Sequence, residues 1–145
     1  MPDPLEIESL SHSYGDTAVF QGVDLRVQAG ECVALLGESG CGKTTLLRDI
    51  AGLSSPSEGE IRIGGRKVYS EETDEPPKSR GVGLVFQDYA LFPSLTVSEN
   101  ISFGLRPADP ERTEMLVKLA GLDGLEDSLP SRLSGGQQQR TALAR

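Results

Sequence analysis

The chain has 145 residues, 37% of them hydrophobic, and a formal net charge of −8. The length suits about one domain, and no apolar run reaches the roughly 18 to 20 residues that a transmembrane helix needs. The acidic balance argues against broad nucleic-acid binding, which needs a basic face. The start, MPDPLEIESL, lacks the basic and long apolar stretches of a secretory signal. With only Cys32 and Cys41, we expect a cytosolic protein without a disulfide framework.

The first part of the chain predicts strands around one helix. Residues 5–10 alternate apolar and acidic side chains, and residues 23–28 repeat the alternation. Residues 32–37 form a continuous apolar run, which predicts a fully buried strand. Residues 43–51 have helical spacing, and Gly52 can cap the C-terminus of this helix. The apolar residues at that spacing are Leu46, Leu47, Ile50 and Ala51.

The middle of the chain predicts a hairpin, a loop and another strand. Residues 60–68 resemble a short hairpin in which Gly64 and Gly65 supply positive φ angles. Residues 69–78 are acidic and contain two prolines, so we interpret them as a surface loop. Residues 82–86, VGLVF, predict a strand.

From Leu91 onward the patterns favour helices. Thr96 and Glu99 have capping-box spacing. A later helix is predicted between Asp109, as its N-cap before Pro110, and Gly121, just past its end. The residues expected to form its buried stripe are Met115, Leu116 and Leu119. We therefore predict a β-rich part with one helix over residues 1–90 and a helical part over residues 91–145.

A glycine-rich loop joins the predicted buried strand to the predicted helix. The residues that fit its pattern, G-x-x-x-x-G-K-[ST], are Gly37, Glu38, Ser39, Gly40, Cys41, Gly42, Lys43 and Thr44. The glycines would let backbone N–H groups converge on phosphate oxygens at a helix N-terminus. Lys43 would reach the β- and γ-phosphates, and the Thr44 hydroxyl would ligate Mg²⁺. A glycine-rich turn is the plainer alternative, but the strand and helix on either side favour a nucleotide triphosphate site.

A second glycine-rich motif, LSGGQQQR, covers residues 133–140. Ser134 and Gln137 have the spacing of a capping box that opens a helix. Gly135 and Gly136 would expose backbone N–H groups at that helix start, which makes it a second candidate anion site. Taken alone, the motif fits an ordinary helix cap equally well.

Together the motifs resemble the ATP-binding subunits of ATP-binding-cassette (ABC) transporters, along nearly the whole chain. GESGCGKTT, which includes Thr45, resembles the Walker A motif of that family, and LSGGQQQR resembles its signature sequence. Residues 85–105 resemble its Q-loop and the start of its helical subdomain. Tyr14 stands where the family has an aromatic residue that stacks on adenine. The resemblance implies an α/β, P-loop NTPase-type core with a helical subdomain, and ATP and Mg²⁺ as cofactors.

The resemblance also implies roles for single residues. Gln87 would contact Mg²⁺ and the attacking water, and would relay the nucleotide state to the membrane partner. The residues that would close on ATP bound to the Walker A motif of a partner subunit are Ser134, Gly135, Gly136 and Gln137. Two ATP molecules would then lie between two head-to-tail subunits. Without the family, Gln87 is only a polar residue after a strand, and Tyr14 is an ordinary packing aromatic.

The partners implied in this way are a second ATP-binding subunit, expected to be an identical copy, and transmembrane permease subunits. A periplasmic or extracellular solute-binding protein would be an indirect partner, and no nucleic acid is implied. The protein would then lie at the cytoplasmic face of the cell membrane. Phe92 and Pro93 fall near the family's permease-docking region, although core packing accounts for them equally well.

The family's Walker B motif is an apolar strand ending in an Mg²⁺-binding Asp and a general-base Glu, after the signature helix. Asp88 follows apolar residues but precedes no Glu, so we do not assign it to this motif. The single histidine, His12, is expected at the surface. The chain stops at RTALAR, inside a helical pattern. We therefore expect an incomplete ABC ATPase domain, inactive by itself and marginal in stability, because buried strands lack neighbours.

The sequence thus predicts the ATP-binding subunit of an ABC importer that would hydrolyse ATP in its intact form. The transported solute would be ferric iron or a polyamine. One alternative is an ABC ATPase without a transporter, but such proteins usually have long insertions or two cassettes, which this chain lacks. Another is a non-catalytic nucleotide-binding switch, which the missing base permits. Whether the gene continues past Arg145 would discriminate the latter.

Overall fold

The computed structural model describes residues 4–105 and 109–145, in two compact units, Met1–Gly83 (unit 1) and Leu84–Arg145 (unit 2). The predicted absence of a secretory signal concerns a segment that begins with residues 1–3, which lie outside the described residues. The functional boundary predicted at residue 90 stays a prediction. No helix in the described parts of the chain has both the length and the apolar character needed to span a bilayer.

Unit 1 is built on a five-stranded sheet in which every neighbouring pair is antiparallel, in the order β2-β1-β3-β4-β5. The strands are β1 (Leu5–Tyr14), β2 (Thr17–Val27), β3 (Glu58–Ile63), β4 (Arg66–Ser70) and β5 (Thr73–Asp74). The alternating segments predicted at residues 5–10 and 23–28 are confirmed in β1 and β2. The predicted hairpin is also confirmed, because Gly64 and Gly65 join β3 to β4 with φ angles of 58° and 78°.

A bulge in β1 sets which of its side chains enter the core. Ser9 has a φ angle of 49°, and the pairing of β1 with both neighbours shifts register beyond Ile7. Strict alternation would place Ile7 and Leu10 on opposite faces, yet both are buried. The core of unit 1 consists of Ile7, Leu10, Leu46, Ile50, Ile61, Val68 and Tyr69.

Helix α1 (Lys43–Ala51) is confirmed, and it ends at Gly52, whose φ angle of 77° and backbone hydrogen bonds form the predicted C-terminal cap. No larger residue fits here, because a Cβ atom on Gly52 would lie 2.5 Å from Arg80 Nε. The prediction that Leu47 shares the buried face is wrong, since it is 44% exposed. Asp49 is buried instead, because polar partners described below surround its carboxylate.

Two predicted strands do not form. Residues 32–37 and 82–86 carry no strand hydrogen bonding, and five of the six residues in the first segment are exposed. A strand needs a neighbour to pair its backbone N–H and C=O groups. In the part of the chain that the structure describes, β1 to β5 pair only with one another. Both segments were therefore wrongly predicted to be strands, and residues 32–37 were also wrongly predicted to be buried.

The loop predicted over residues 69–78 is only partly correct. Tyr69 is a buried residue of β4, and its hydroxyl donates a hydrogen bond to the Pro56 carbonyl at 2.5 Å. After β5 comes a short helix, α2 (Pro77–Arg80). Its last residue, Arg80, is buried and donates to the carbonyls of Asp49 at 2.6 Å and of Ile50 at 3.3 Å. Arg80 therefore satisfies the carbonyl groups at the end of α1.

Unit 2 is helical, as predicted. Its helices are α3 (Val97–Ser102), α4 (Pro110–Leu119), a 3₁₀ turn (Pro130–Arg132) and α5 (Gly135–Ala144). Its core consists of Val97, Ile101, Val117, Leu122 and Leu133. The capping box between Thr96 and Glu99 and the N-cap role of Asp109 are both confirmed. Gly121 follows α4 with a φ angle of 61°.

The predicted stripe of α4 is largely wrong. Met115 and Leu119 are 52% and 81% exposed, Leu116 is only partly buried, and Val117 is the buried residue. Apolar residues occur on several sides of this helix, so periodicity alone could not select the face that meets α3. Buried Asn100 on α3 adds polar contacts to unit 2, because its side-chain amide forms hydrogen bonds with backbone groups of Phe92, Leu95 and Thr96.

Candidate functional site

The glycine-rich loop of unit 1 forms a turn that leads directly into α1. The Cys41 N–H donates to the Glu38 carbonyl at 3.4 Å, and Gly40 and Gly42 have φ angles of 85° and 92°. At Gly42 a side chain would also collide, because a Cβ atom would lie 2.9 Å from Val19 Cγ1. Glycine is therefore required here both for the backbone angle and for the close approach of β2.

Lys43 lies inside the turn and is enclosed by it. Its Nζ atom donates to the carbonyls of Gly37 at 2.8 Å and Glu38 at 2.7 Å, and lies 3.5 Å from Cys41 Sγ. The loop thus wraps around one ammonium group. An anion that entered the loop would meet a fixed positive charge, and carbonyl groups could release Lys43 in exchange for phosphate oxygens.

The start of α1 lacks a side-chain cap. Gly42 is the N-cap residue, and no side chain accepts a hydrogen bond from the first turn. The first intrahelical bond runs from Leu46 N–H to Gly42 O at 2.9 Å, so the N–H groups of residues 43–45 have no acceptor within the helix. These N–H groups, the helix dipole and the exposed Thr44 hydroxyl fit a phosphate chain with a bound Mg²⁺. Thr45 follows in the same turn and is partly buried.

Tyr14 ends β1 and is 58% exposed. Its ring meets His12 edge to face, with centroids 4.6 Å apart and planes 66° apart. The expectation that His12 is a surface residue is wrong, because it is only 2% exposed. Its Nδ1 atom lies 2.9 Å from Asp49 Oδ2, a pairing that joins β1 to α1 and compensates for burial of the polar ring.

Asp49 is the centre of a polar network that the sequence did not reveal. Besides the His12 ring, it accepts a hydrogen bond from Ser54 Oγ at 2.5 Å. Burial raises the pKa of the Asp49 carboxyl above its usual value, and the hydrogen bonds from Ser54 and His12 oppose that shift. An acidic residue on the inner face of a helix was the available signal, but its partner lies 37 positions away along the chain.

Gln87 belongs to unit 2 and is exposed in a turn. This turn is closed by a hydrogen bond from Tyr89 N–H to Phe86 O at 3.0 Å. Tyr89 and Ala90 have positive φ angles of 62° and 44°, which is uncommon for residues other than glycine. The polar group of Gln87 is thus presented by an irregular segment rather than at the end of the predicted strand.

The signature motif starts α5, as predicted. Ser134 is the N-cap: its hydroxyl accepts from Gln137 N–H at 3.3 Å, and its own N–H donates to Gln137 Oε1 at 2.8 Å. The capping box is therefore complete. Gly135 and Gly136 are exposed and leave the helix start open to the approach of a ligand or partner.

The structure thus collects the residues of the glycine loop and Lys43 at one helix start, with Tyr14 in the same unit. Gln87 and the signature residues belong to unit 2. Within the described residues, no group of three or more His, Cys, Asp or Glu side chains is arranged to hold a metal ion. Both cysteines are exposed free thiols.

A P-loop ahead of a helix and a second glycine motif at a self-capped helix define a nucleotide-binding protein. The family model described as ABC transporter matches residues 20–145, and this chain belongs to that family. The resemblance drawn from the motifs is therefore confirmed.

Similar proteins include several import ATP-binding proteins. The chain is 48% identical to the Fe(3+) ions import ATP-binding protein FbpC of Mesorhizobium japonicum, over 97% of this chain and 40% of that protein. It is 47% identical to the sulfate/thiosulfate import ATP-binding protein CysA 2 of Chromobacterium violaceum, over 100% of this chain and 40% of that protein. It is 45% identical to the spermidine/putrescine import ATP-binding protein PotA of Oleidesulfovibrio alaskensis, over 97% of this chain and 38% of that protein. The chain spans about 40% of the length of the curated relatives it matches.

A solved structure with the same fold is a dimeric ATP-binding cassette in a post-hydrolysis state, bound to ADP and Pi. The TM-score is 0.80 at 34% sequence identity, covering 97% of this chain and 67% of that one. The predicted α/β, P-loop NTPase-type fold with helical additions is confirmed by this similarity, although two of its expected strands are unpaired here.

Proposed function

We propose that the chain is the ATP-binding part of an ABC importer subunit, in which the loop of residues 37–45 holds the phosphates of Mg-ATP. The observation that carries this proposal is the enclosure of Lys43 Nζ by the carbonyls of Gly37 and Glu38 at the uncapped start of α1. An uncapped helix start beside a fixed ammonium group is a strong anion site. The Thr44 hydroxyl would contribute one oxygen to Mg²⁺, which keeps most of its other ligands as water and phosphate.

The remaining site residues act around this loop. Tyr14, exposed at the end of β1, would stack on the adenine ring. Gln87 would contact Mg²⁺ and the attacking water. The start of α5 would complete the nucleotide site of a partner subunit through Ser134, Gly135, Gly136 and Gln137. Support for a paired arrangement comes from the similar cassette, whose structure is described as dimeric.

We place the intact protein at the cytoplasmic face of the cell membrane, where it would hydrolyse ATP to drive solute uptake through permease subunits. Relatives named for ferric iron, sulfate and spermidine/putrescine import are almost equally similar. Ferric iron or a polyamine is our proposal for the solute, and relatives named for the import of each support it. A solute-binding protein would deliver the solute to the permease, without contacting this chain.

The test is Mg-ATP binding and turnover by the 145-residue chain and two variants. Lys43→Ala removes the enclosed ammonium, and Lys78→Ala is the control, because Lys78 is exposed on α2. We expect Lys43→Ala to weaken ATP binding by about 10- to 100-fold, since a charge-assisted phosphate contact is worth roughly 1.5 to 3 kcal/mol. Lys78→Ala should bind like the unaltered chain.

We also expect ATP binding without turnover in this chain, because no general base has been assigned within it. Turnover that Lys43→Ala abolishes would show that a base lies within these residues. Equal ATP binding by both lysine variants and the unaltered chain would refute the proposed site.

A further inference from the structure

Behind the exposed Tyr14 ring lies a buried histidine for which the proposed function gives no role. His12 is 2% exposed, and three groups surround its ring: Asp49 at Nδ1, Tyr14 edge to face, and Phe20 at a centroid distance of 6.0 Å. A side chain held on three sides has essentially one orientation. The Tyr14 ring, by contrast, is mostly open to solvent and rests against this fixed neighbour.

His12 is connected to the phosphate loop through two of its neighbours, Asp49 and Phe20. Asp49 belongs to α1, the helix that starts at the loop. Phe20, the second aromatic neighbour of His12, packs so closely on the loop that a Cβ atom on Gly42 would lie 3.0 Å from Phe20 Cδ1. His12 therefore touches both the element that presents Tyr14 and the elements that support Gly42 and α1.

The backbone on either side of His12 is also fixed. Ser57 N–H donates to the Ser11 carbonyl at 2.8 Å, and Ser13 N–H donates to Ser57 Oγ at 2.8 Å. These bonds attach the end of β1 to the segment that follows α1. What they leave undetermined is the direction of the Tyr14 ring, and the His12 ring is its aromatic neighbour among the described residues.

We propose that His12 is a positioning residue for the nucleotide base: it fixes the Tyr14 ring and ties it to α1, so that the adenine platform and the phosphate loop keep one spacing. The inference rests on the proposed ATP site. An aromatic ring that is already oriented loses less conformational freedom when a base stacks on it. His12 should therefore contribute to binding of the base but not of the phosphates.

The test compares Mg-ATP with Mg-tripolyphosphate, which has the phosphates without the base, by calorimetry on the full chain. His12→Asn keeps an N–H donor for Asp49 but removes the ring that supports Tyr14. Tyr14→Ala removes the platform itself, and Lys78→Ala, at an exposed residue of α2 outside the proposed site, is the control. Tripolyphosphate binding also reports whether each variant still has a folded phosphate loop.

We expect Tyr14→Ala to weaken ATP binding about tenfold, the scale of base stacking on an aromatic residue. His12→Asn should weaken ATP binding about threefold or more. Tripolyphosphate binding should stay within about twofold in both variants, and Lys78→Ala should change the binding of neither ligand. In the Tyr14→Ala background, His12→Asn should have no further effect on ATP binding, because its only route to the base is then gone.

The proposal is overturned if His12→Asn leaves the preference for ATP unchanged. It is also overturned if His12→Asn weakens both ligands alike or abolishes both, because His12 would then support the whole unit rather than the platform. Failure of the proposed function looks different. In that case the unaltered chain itself would bind neither ligand, or would bind both independently of Lys43.

Discussion

Helices α1 and α5 both have glycines at their starts, and these starts are built differently. The N-cap residue of α1 is Gly42, which has no side chain that could accept a hydrogen bond from the first turn. The N-cap residue of α5 is Ser134, whose hydroxyl and backbone N–H both form hydrogen bonds with Gln137. Each helix start leaves several N–H groups without an acceptor. In α5 the Ser134 side chain provides one of the missing acceptors, whereas no side chain provides one in α1.

Under the proposed function, this difference predicts which helix start would bind the chain's own nucleotide. At α1 a bound phosphate would supply the missing acceptors, and Lys43 would add a positive charge. At α5 the serine hydroxyl is already engaged, and the exposed glycines offer mainly backbone N–H groups. We therefore assign the tight anion site to α1 and a weaker, complementary contact to α5. That contact would matter only when a second subunit presents its nucleotide.

The largest expected effect is the difference in stability between two glycine-to-alanine variants, one at each helix start. Gly42→Ala places a side chain on a residue with a φ angle of 92° and 2.9 Å from Val19 Cγ1. Backbone strain and overpacking should together destabilise unit 1 by about 2 to 4 kcal/mol. Gly135→Ala has nothing within 4 Å of the new Cβ atom, so it should change stability by less than about 1 kcal/mol.

Urea unfolding curves with probes in each unit would measure both changes. Mg-ATP binding should be lost in Gly42→Ala and kept in Gly135→Ala. If the two substitutions cost the same, the two helix starts do not differ in the way described above.

A smaller effect is expected for thiol alkylation at the loop. Cys41 Sγ is exposed and 3.5 Å from Lys43 Nζ, so a phosphate held by Lys43 should cover this thiol. At an ATP concentration about ten times the dissociation constant, alkylation should slow about tenfold, in proportion to the free loop. Cys32 is also a free, exposed thiol and serves as the internal control. Peptide mass analysis would follow both sites, and equal protection of both would argue against a local effect.

The smallest change should follow from Ser134→Ala. Loss of an N-cap hydroxyl typically costs about 1 kcal/mol of stability, and here it should appear in unit 2 alone. Binding of ATP by the single chain should not change, since the nucleotide is assigned to unit 1. A weaker ATP affinity in this variant, measured on the monomeric chain, would place part of the primary site at α5.

The sequence was most informative where local chemistry decides the structure. Both capping boxes, the N-cap Asp109, the hairpin glycines and the C-terminal Gly52 follow from residue type and spacing, and the structure confirms each of them. The turn of the glycine loop and its position at the start of α1 also follow from neighbours along the chain, whereas its phosphate-binding role stays a prediction.

The failures occurred where a distant partner decides. His12 is buried because Asp49 can pair with it, and that partner cannot be identified from spacing. Residues 32–37 look like a core strand, but whether they pair depends on a neighbouring strand that their own composition cannot reveal. In α4, Val117 rather than Leu119 meets the core, because the packing against α3 selects the face. Long-range pairing and packing were therefore the information missing from the pattern.

The most direct test of the assignment is an amide chemical-shift map of the ¹⁵N-labelled chain titrated with Mg-ATP. The account predicts the largest shifts at Gly40, Gly42, Lys43, Thr44 and Thr45, with little change at Gly135, Gly136 and Gln137. Largest shifts at the start of α5, or shifts of equal size at both helix starts at low protein concentration, would contradict the claim that α1 holds the chain's own nucleotide.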